Sequence, residues 1–246
     1  MPLPIIETPK YETKLPSTGK KVFYRPYLVK EEKMLMIALE SSDSKQIMQA
    51  VKDTISACTY NKVDPGELPI FDLEYMFLRL RAKSVGEISK LNLKCTSCEK
   101  NTRVDVNLDE IKIDVKNLPS STIQLTDTIG ITMNWPKVDL VAEFSDETDS
   151  EKTNKAELAF NIIAGCIESI FDSKRVYPAK DQTKAELHEF LESLNQNQFK
   201  KIQEFIEAMP KLEHNVEFEC AHCQAKNSLL ITGIQSFFSS PSLTTV

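Results

Sequence analysis

Two short stretches decide how this chain folds: Leu91-Asn92-Leu93-Lys94-Cys95-Thr96-Ser97-Cys98, and Val216-Glu217-Phe218-Glu219-Cys220-Ala221-His222-Cys223. Their contexts match at an offset of 125 residues. Leu93 corresponds to Phe218, Cys95 and Cys98 to Cys220 and Cys223, and Val104 and Val106 to Leu229 and Ile231. Each Cys-x-x-Cys pair lies between two stretches in which apolar and polar residues alternate, the signature of a strand with one buried face. A strand, a tight turn with two cysteines and a returning strand form a zinc knuckle. Two knuckles brought together offer four thiolates, a set that zinc accepts in tetrahedral geometry. Such a site has no open position, so it is structural and not catalytic. Cys95, Cys98, Cys220 and Cys223 are therefore the candidate ligands of a structural zinc.

The distance along the chain does not oppose this. Loop-closure entropy grows by only about 0.6 kcal/mol for each doubling of loop length. Other readings of the four cysteines stay open. A redox pair usually sits at a helix N-terminus, where its thiol pKa is lowered, and both pairs here lead into strand-like alternation. The four can be structural thiols without metal. Iron can also take a tetrahedral sulfur set. His222, between two candidate ligands, is expected to face solvent.

The rest of the chain reads as mixed α+β, mostly helical, with a small β zinc-knuckle module formed by the two distant CxxC hairpins. Residues 1–22, with Pro2, Pro4, Pro9 and Pro16, form an extended N-terminal arm, because proline blocks helix and favours extended or turn backbone. That arm is either a loose terminus or a segment laid along a partner or the core. Residues 23–238 are expected as one compact domain, with the zinc module drawn from 91–111 and 216–234, and residues 239–246 as a flexible tail. Lys21 to Arg25 reads as a short strand.

Helical stripes then recur at Met34, Leu35, Ala38 and Leu39, and at Ile47, Val51, Ile55 and Cys58. Ser42 or Asp43 is placed to cap the second helix. A third is expected from Asp72 as cap, burying Leu73, Phe77 and Leu80 and ending near Gly86. Ile111 and Val115 extend the strand character past Leu108. Ile123 to Met133 reads as a hairpin, Glu143 to Glu151 as an acidic solvated loop, and Ala156 to Phe171 as the most apolar helix. Asp181 to Leu194, capped by Asp181 or Thr183, and Gln198 to Met209 make a helical pair. Cys58 and Cys166 complete apolar stripes and read as core residues.

Composition narrows the function. The chain has 246 residues, a formal net charge of −6 and 6 glycines. A negative balance disfavours a general nucleic-acid binder, and scarce glycine disfavours a phosphate cradle. Lys94, Lys100, Arg103 and Lys226 lie near the cysteines, but Glu99, Asp105 and Glu219 dilute them. No run approaches the roughly 18 apolar residues of a membrane helix, and Met1 to Pro16 has no signal-peptide core. The chain is thus expected in a reducing compartment, where a disulfide framework is disfavoured. His188, His214 and His222 have no partnered nucleophile by spacing, and no GxSxG, HExxH or Walker pattern occurs. Neither an enzyme nor a small-molecule binder is indicated.

Longer segments resemble a known family. They are Phe23-Tyr24-Arg25-Pro26-Tyr27-Leu28-Val29-Lys30-Glu31-Glu32-Lys33, then Phe71-Asp72-Leu73-Glu74-Tyr75-Met76-Phe77-Leu78-Arg79-Leu80-Arg81-Ala82-Lys83-Ser84-Val85-Gly86, and Gly233-Ile234-Gln235-Ser236-Phe237-Phe238. With the two cysteine pairs they resemble the T4-type phage baseplate hub protein family over nearly the whole chain. That family includes a hub subunit and a hub assembly factor with a chaperone role. The resemblance implies a late, non-enzymatic protein that assembles with other phage baseplate hub proteins in the host cell cytoplasm, with incorporation into the virion as a further expectation. The zinc is read from the cysteines and not from the family. Arg79 and Arg81 point to different sides of one helix, so one can support the fold while the other meets a partner. Tyr75, Trp135 and Phe238 are candidate anchors. The competing reading is a zinc-ribbon nucleic-acid-associated regulatory protein.

Overall fold

A computed structural model describes residues 6–116, 118–145 and 155–233 of the chain. The elements follow in order as β1 (Tyr11–Lys14), β2 (Lys21–Tyr24), α1 (Val29–Ser41), α2 (Ser44–Cys58), α3 (Ile70–Ser84), β3 (Ile88–Lys94) and β4 (Asn101–Asn107). Then come β5 (Thr122–Gln124), β6 (Gly130–Met133), α4 (Val138–Ser145), α5 (Lys155–Cys166), β7 (Ile167–Phe171) and β8 (Val176–Pro178). The last four are α6 (Lys184–Glu192), α7 (Gln196–Glu207), β9 (Glu213–Glu219) and β10 (Lys226–Thr232). The fold is mixed α+β. No helix among the described residues is long and apolar enough to cross a membrane.

Contacts group the chain into two compact units where the sequence suggests one body over 23–238. The first comprises Met1–Pro65, Phe71–Asp114 and Lys211–Val246; the second comprises Gly66–Ile70 and Val115–Pro210.

The first unit holds three antiparallel two-stranded ribbons, β1–β2, β3–β4 and β9–β10, with α1, α2 and α3. Part of the expected arm is thus a hairpin: Tyr11 pairs with Tyr24 and Lys14 with Lys21. Gly19 closes the turn, donating to the Leu15 carbonyl at 2.8 Å, with a φ of 66° that favours glycine. Asp43 caps α2 as expected, accepting from Lys45 and Gln46. Ile55 and Cys58 are fully buried there. In α1 only part of the expected stripe is inside: Leu35 and Ala38 are buried, while Met34 is exposed.

The main surprise in this unit is α3. Burial runs almost all round it, from Phe71 to Ala82, and takes in Asp72, Arg79 and Arg81. Asp72 is not the cap. The helix starts at Ile70, and Asp72 is sealed inside, accepting the Ser17 N–H at 3.0 Å and the Ser17 hydroxyl. Arg79 bonds the Asp109 carboxylate at 2.9 Å and the Ile111 carbonyl. It therefore fixes the segment after β4, and the further strand expected at Ile111 and Val115 does not form.

The second unit packs α4 to α7 with one antiparallel sheet of order β5-β6-β7-β8. The hairpin expected at Ile123 to Met133 is β5–β6. The helix expected to run from Ala156 to Phe171 stops at Cys166, and Ile167–Phe171 becomes β7, a strand bonded on both sides by β6 and β8. A continuous apolar run does not reveal its period, and β-branched Ile167 and Ile170 suit a sheet. Gly130 faces Phe171 across the ladder, where a Cβ would lie 2.3 Å from the ring. Thr183 caps α6, and Asn195, not foreseen, caps α7; each forms a reciprocal box with the residue three on. The expected acidic loop is partly helical, since α4 reaches Ser145, and the rest of it lies outside the described residues, as do Phe238 and the tail 239–246.

Glu31 supplies a test of the first unit. It is buried, accepts from Arg25 Nη2 at 2.8 Å and from the Leu28 N–H at 2.8 Å, and so holds the start of α1 to β2. Burial opposes its charge, but Arg25 and the Leu28 N–H outweigh it and keep the carboxyl below its ordinary pKa. A depressed carboxylate stabilises above its unfolded pKa and loses that contribution as pH falls through its folded pKa. Glu31→Ala leaves Arg25 unpaired and should cost about 3 kcal/mol at pH 7. Urea unfolding should show the gap closing as pH drops below about 4.

Candidate metal centre

The two hairpins that carry the cysteines have the same register. Leu93 pairs with Thr102 and Lys94 with Asn101; Phe218 pairs with Asn227 and Glu219 with Lys226. Within each turn the backbone repeats the same bonds. The N–H of Cys95 donates to the Lys100 carbonyl and that of Cys220 to the Ala225 carbonyl, both at 2.9 Å. Glu99 and Gln224 return bonds to the first cysteine's carbonyl from left-handed backbone, at φ of 60° and 59°. The Ser97 and His222 N–H groups each reach the first sulfur at 3.4 Å. The repeat seen in sequence is thus a repeat of backbone geometry.

These turns meet in space within the first unit. Cys95 Sγ lies 3.7 Å from Cys223 Sγ, and Cys98 Sγ lies 3.6 Å from Cys220 Sγ. All four sulfurs fall within 4.8 Å of one another. A disulfide needs about 2.05 Å, so these are four free thiols. Zinc–sulfur bonds of about 2.3 Å give a tetrahedron with edges of about 3.8 Å. The two short separations match that edge, and the donor set fits zinc. Cys95 and Cys220 are each only 1% exposed, Cys98 is half-buried and Cys223 is exposed. Each hairpin therefore contributes one inner and one outer sulfur.

Two residues that sequence reasoning missed hold the inner sulfurs. Thr102 and Asn227 each stand seven positions after the first cysteine of their own hairpin, and both are buried. Each serves the other hairpin. The Thr102 hydroxyl donates to Cys220 Sγ at 3.5 Å and accepts the Ala221 N–H at 3.3 Å. The Asn227 amide donates to Cys95 Sγ at 3.5 Å, while its oxygen accepts the Thr96 N–H and hydroxyl, both at 2.9 Å. The detectable signal was a polar residue at the same offset in both repeats, opposite Leu93 and Phe218.

These donors act on charge as well as geometry. The Thr102 hydroxyl, aided by the N–H groups of His222 and Cys223, draws the Cys220 thiol down to about 5. The N–H groups of Cys98 and Ser97 and the Asn227 amide lower Cys95. The Ala225 N–H favours a Cys223 thiolate, yet the neighbouring sulfurs push that thiol up to about 12. The hydrogen bonds thus favour thiolates at the two inner sulfurs, while the neighbouring sulfurs hold a proton on Cys223. By contrast, Cys58 and Cys166 are buried, and desolvation pushes their thiols up to about 11 and about 12. Both are core residues, as expected.

The other candidates fall as follows. His222 is exposed, and Lys94 pairs with Glu99 at 3.1 Å. Tyr75 lies under the Arg79 guanidinium, 4.8 Å from ring centre. Trp135 stacks on Phe205 at 4.3 Å in the second unit's core.

Comparison with known proteins places the chain. The sequence pattern of the family described as T4 bacteriophage base plate protein matches residues 8–239. The baseplate hub assembly protein gp26 of Enterobacteria phage T4 is 24% identical over 221 residues, covering 89% of this chain and 94% of that protein. No solved structure matches. With that pattern running through both cysteine hairpins and nearly every described element, the chain belongs to the T4 bacteriophage base plate protein family.

Proposed function

We propose that this chain is a non-enzymatic assembly factor or structural component of a phage tail baseplate hub, working by contact with other hub proteins. The observation that carries this reading is the family match over residues 8–239, joined to a relative whose name assigns it to hub assembly. Its workplace is the host cytoplasm during assembly, with the baseplate of the virion as the destination of a component. The pairing of Lys94 with Glu99 beside Cys95 and Cys98, on a chain of net charge −6, supports a protein partner over nucleic acid.

Cys95, Cys98, Cys220 and Cys223 hold a structural zinc in this reading, and Thr102 and Asn227 orient the inner sulfurs toward it. When bound, zinc neutralises the thiolates and supplies folding free energy. The module it closes draws on 91–111 and 216–234.

Two predictions follow from these residues. Cys220→Ala should lose its zinc, read by metal analysis of the purified chain, and melt at least about 20 °C lower. Asn227→Ala keeps all four ligands and should weaken zinc about 10–100-fold in chelator competition. A metal-free wild type of equal stability defeats the zinc reading. For the role itself, a tagged chain in phage-infected cells should copurify with the other baseplate hub proteins. Absence from both hub intermediates and virions, with DNA retained at physiological salt, would instead favour the nucleic-acid regulator.

A further inference from the structure

Three charged side chains of α3 are buried, and two of them have side-chain bonding partners. Asp72 is held by Ser17, and Arg79 by Asp109 and Ile111. Arg81 is the exception. It is 7% exposed, yet its guanidinium makes no hydrogen bond or ion pair with any described residue. A guanidinium carries five N–H donors and keeps its charge in proteins. Burying it unpaired is among the costlier things a fold can do. The sealed side-chain atoms without a partner are, among the described residues, Arg79 Nε and Ser89 Oγ. The Arg81 nitrogens are not among them, so its fork still reaches the surface. Desolvation lowers its pKa, and Tyr27, the ionisable group that acts on it, is itself held neutral by burial.

The chain next to Arg81 carries exposed apolar residues. The Tyr27 N–H donates to Ser84 Oγ at 2.9 Å, which sets the start of α1 beside the end of α3. The residues flanking that bond are exposed: Leu28 at 41%, Val29 at 79% and Val85 at 46%. A buried charge with exposed aliphatic residues one helical turn away and beside Tyr27 suits an interface anchor, where surrounding apolar contacts exclude water. Among the described residues no carboxylate bonds the Arg81 guanidinium; Glu31 is held by Arg25, and Asp109 by Arg79 and Lys83.

We propose that Arg81 receives an aspartate or glutamate carboxylate carried on an apolar segment of another baseplate hub protein. The fork of the guanidinium matches a carboxylate through two parallel bonds. A nucleic-acid phosphate fits less well, because one cation near exposed apolar residues on a chain of net charge −6 offers a polyanion little. The inference rests on the assembly reading and adds to it the face and the chemistry of the partner.

An unpaired buried charge has an unusual consequence: removing it should not harm the free protein. Full-length wild type, Arg81→Met and Arg79→Met are to be melted alone, then coexpressed with the other hub proteins of the same phage and recovered by a tag. Arg81→Met should melt at or above wild type but bind the hub complex at least about thirtyfold more weakly. Arg79→Met, which severs bonds inside the fold, should melt lower. In Arg81→Lys, a water-soluble carbodiimide should link position 81 to an acidic side chain of a hub protein. An undiminished complex with Arg81→Met, or a melting loss equal to that of Arg79→Met, overturns the proposal alone. A wild type that recovers no hub protein overturns the assembly reading, and this proposal with it.

Discussion

Four sulfur atoms within 4.8 Å of one another cannot all ionise unless a positive charge sits among them. That constraint organises the first unit. The inner sulfurs already receive backbone N–H, threonine and asparagine donors, so the site is prepared for thiolates before any cation arrives. The residues that prepare it are exchanged between hairpins 125 positions apart in sequence. Neither hairpin can complete its own site. A two-stranded ribbon alone is marginal in water, and here each ribbon gains its polar partner only by meeting the other. Zinc bound to four thiolates would contribute on the order of 10 kcal/mol, comparable with the whole stability of a typical domain.

The charges buried along α3 divide labour in a way that burial alone does not reveal. Asp72 and Arg79 each tie the helix to a distant segment, Ser17 in one case and the stretch after β4 in the other. Arg81, two positions from Arg79 on another side of the helix, ties it to nothing described. A chain optimised only for its own stability would carry an apolar residue there. A guanidinium that reaches the surface without a partner in the free chain is consistent with the proposed role in a larger assembly.

Much of the site was legible in sequence because cysteine spacing is a chemical signal that survives without knowledge of contacts. Cys95, Cys98, Cys220 and Cys223 could be named, and their convergence expected, from two matched contexts. Thr102 and Asn227 could not be distinguished from ordinary strand polar residues until the register showed them facing the other hairpin's sulfur. Asp72 misled for a related reason: at a helix start it reads as a cap, whereas a long-range partner, Ser17, decides its role. At Ile167–Phe171 local pattern failed, because a strand bonded on both edges is as uniformly apolar as a buried helix. Residues 11–14 of the supposed arm were hidden by the same dependence on a partner, since four residues become a strand only when β2 lies beside them.

X-ray absorption at the zinc edge, recorded on the purified full-length protein, tests the central claim most directly. The account predicts a first shell of four sulfur scatterers at about 2.3 Å, with no nitrogen or oxygen ligand. A shell containing imidazole or water, or a protein that yields no zinc signal while remaining folded, would contradict it.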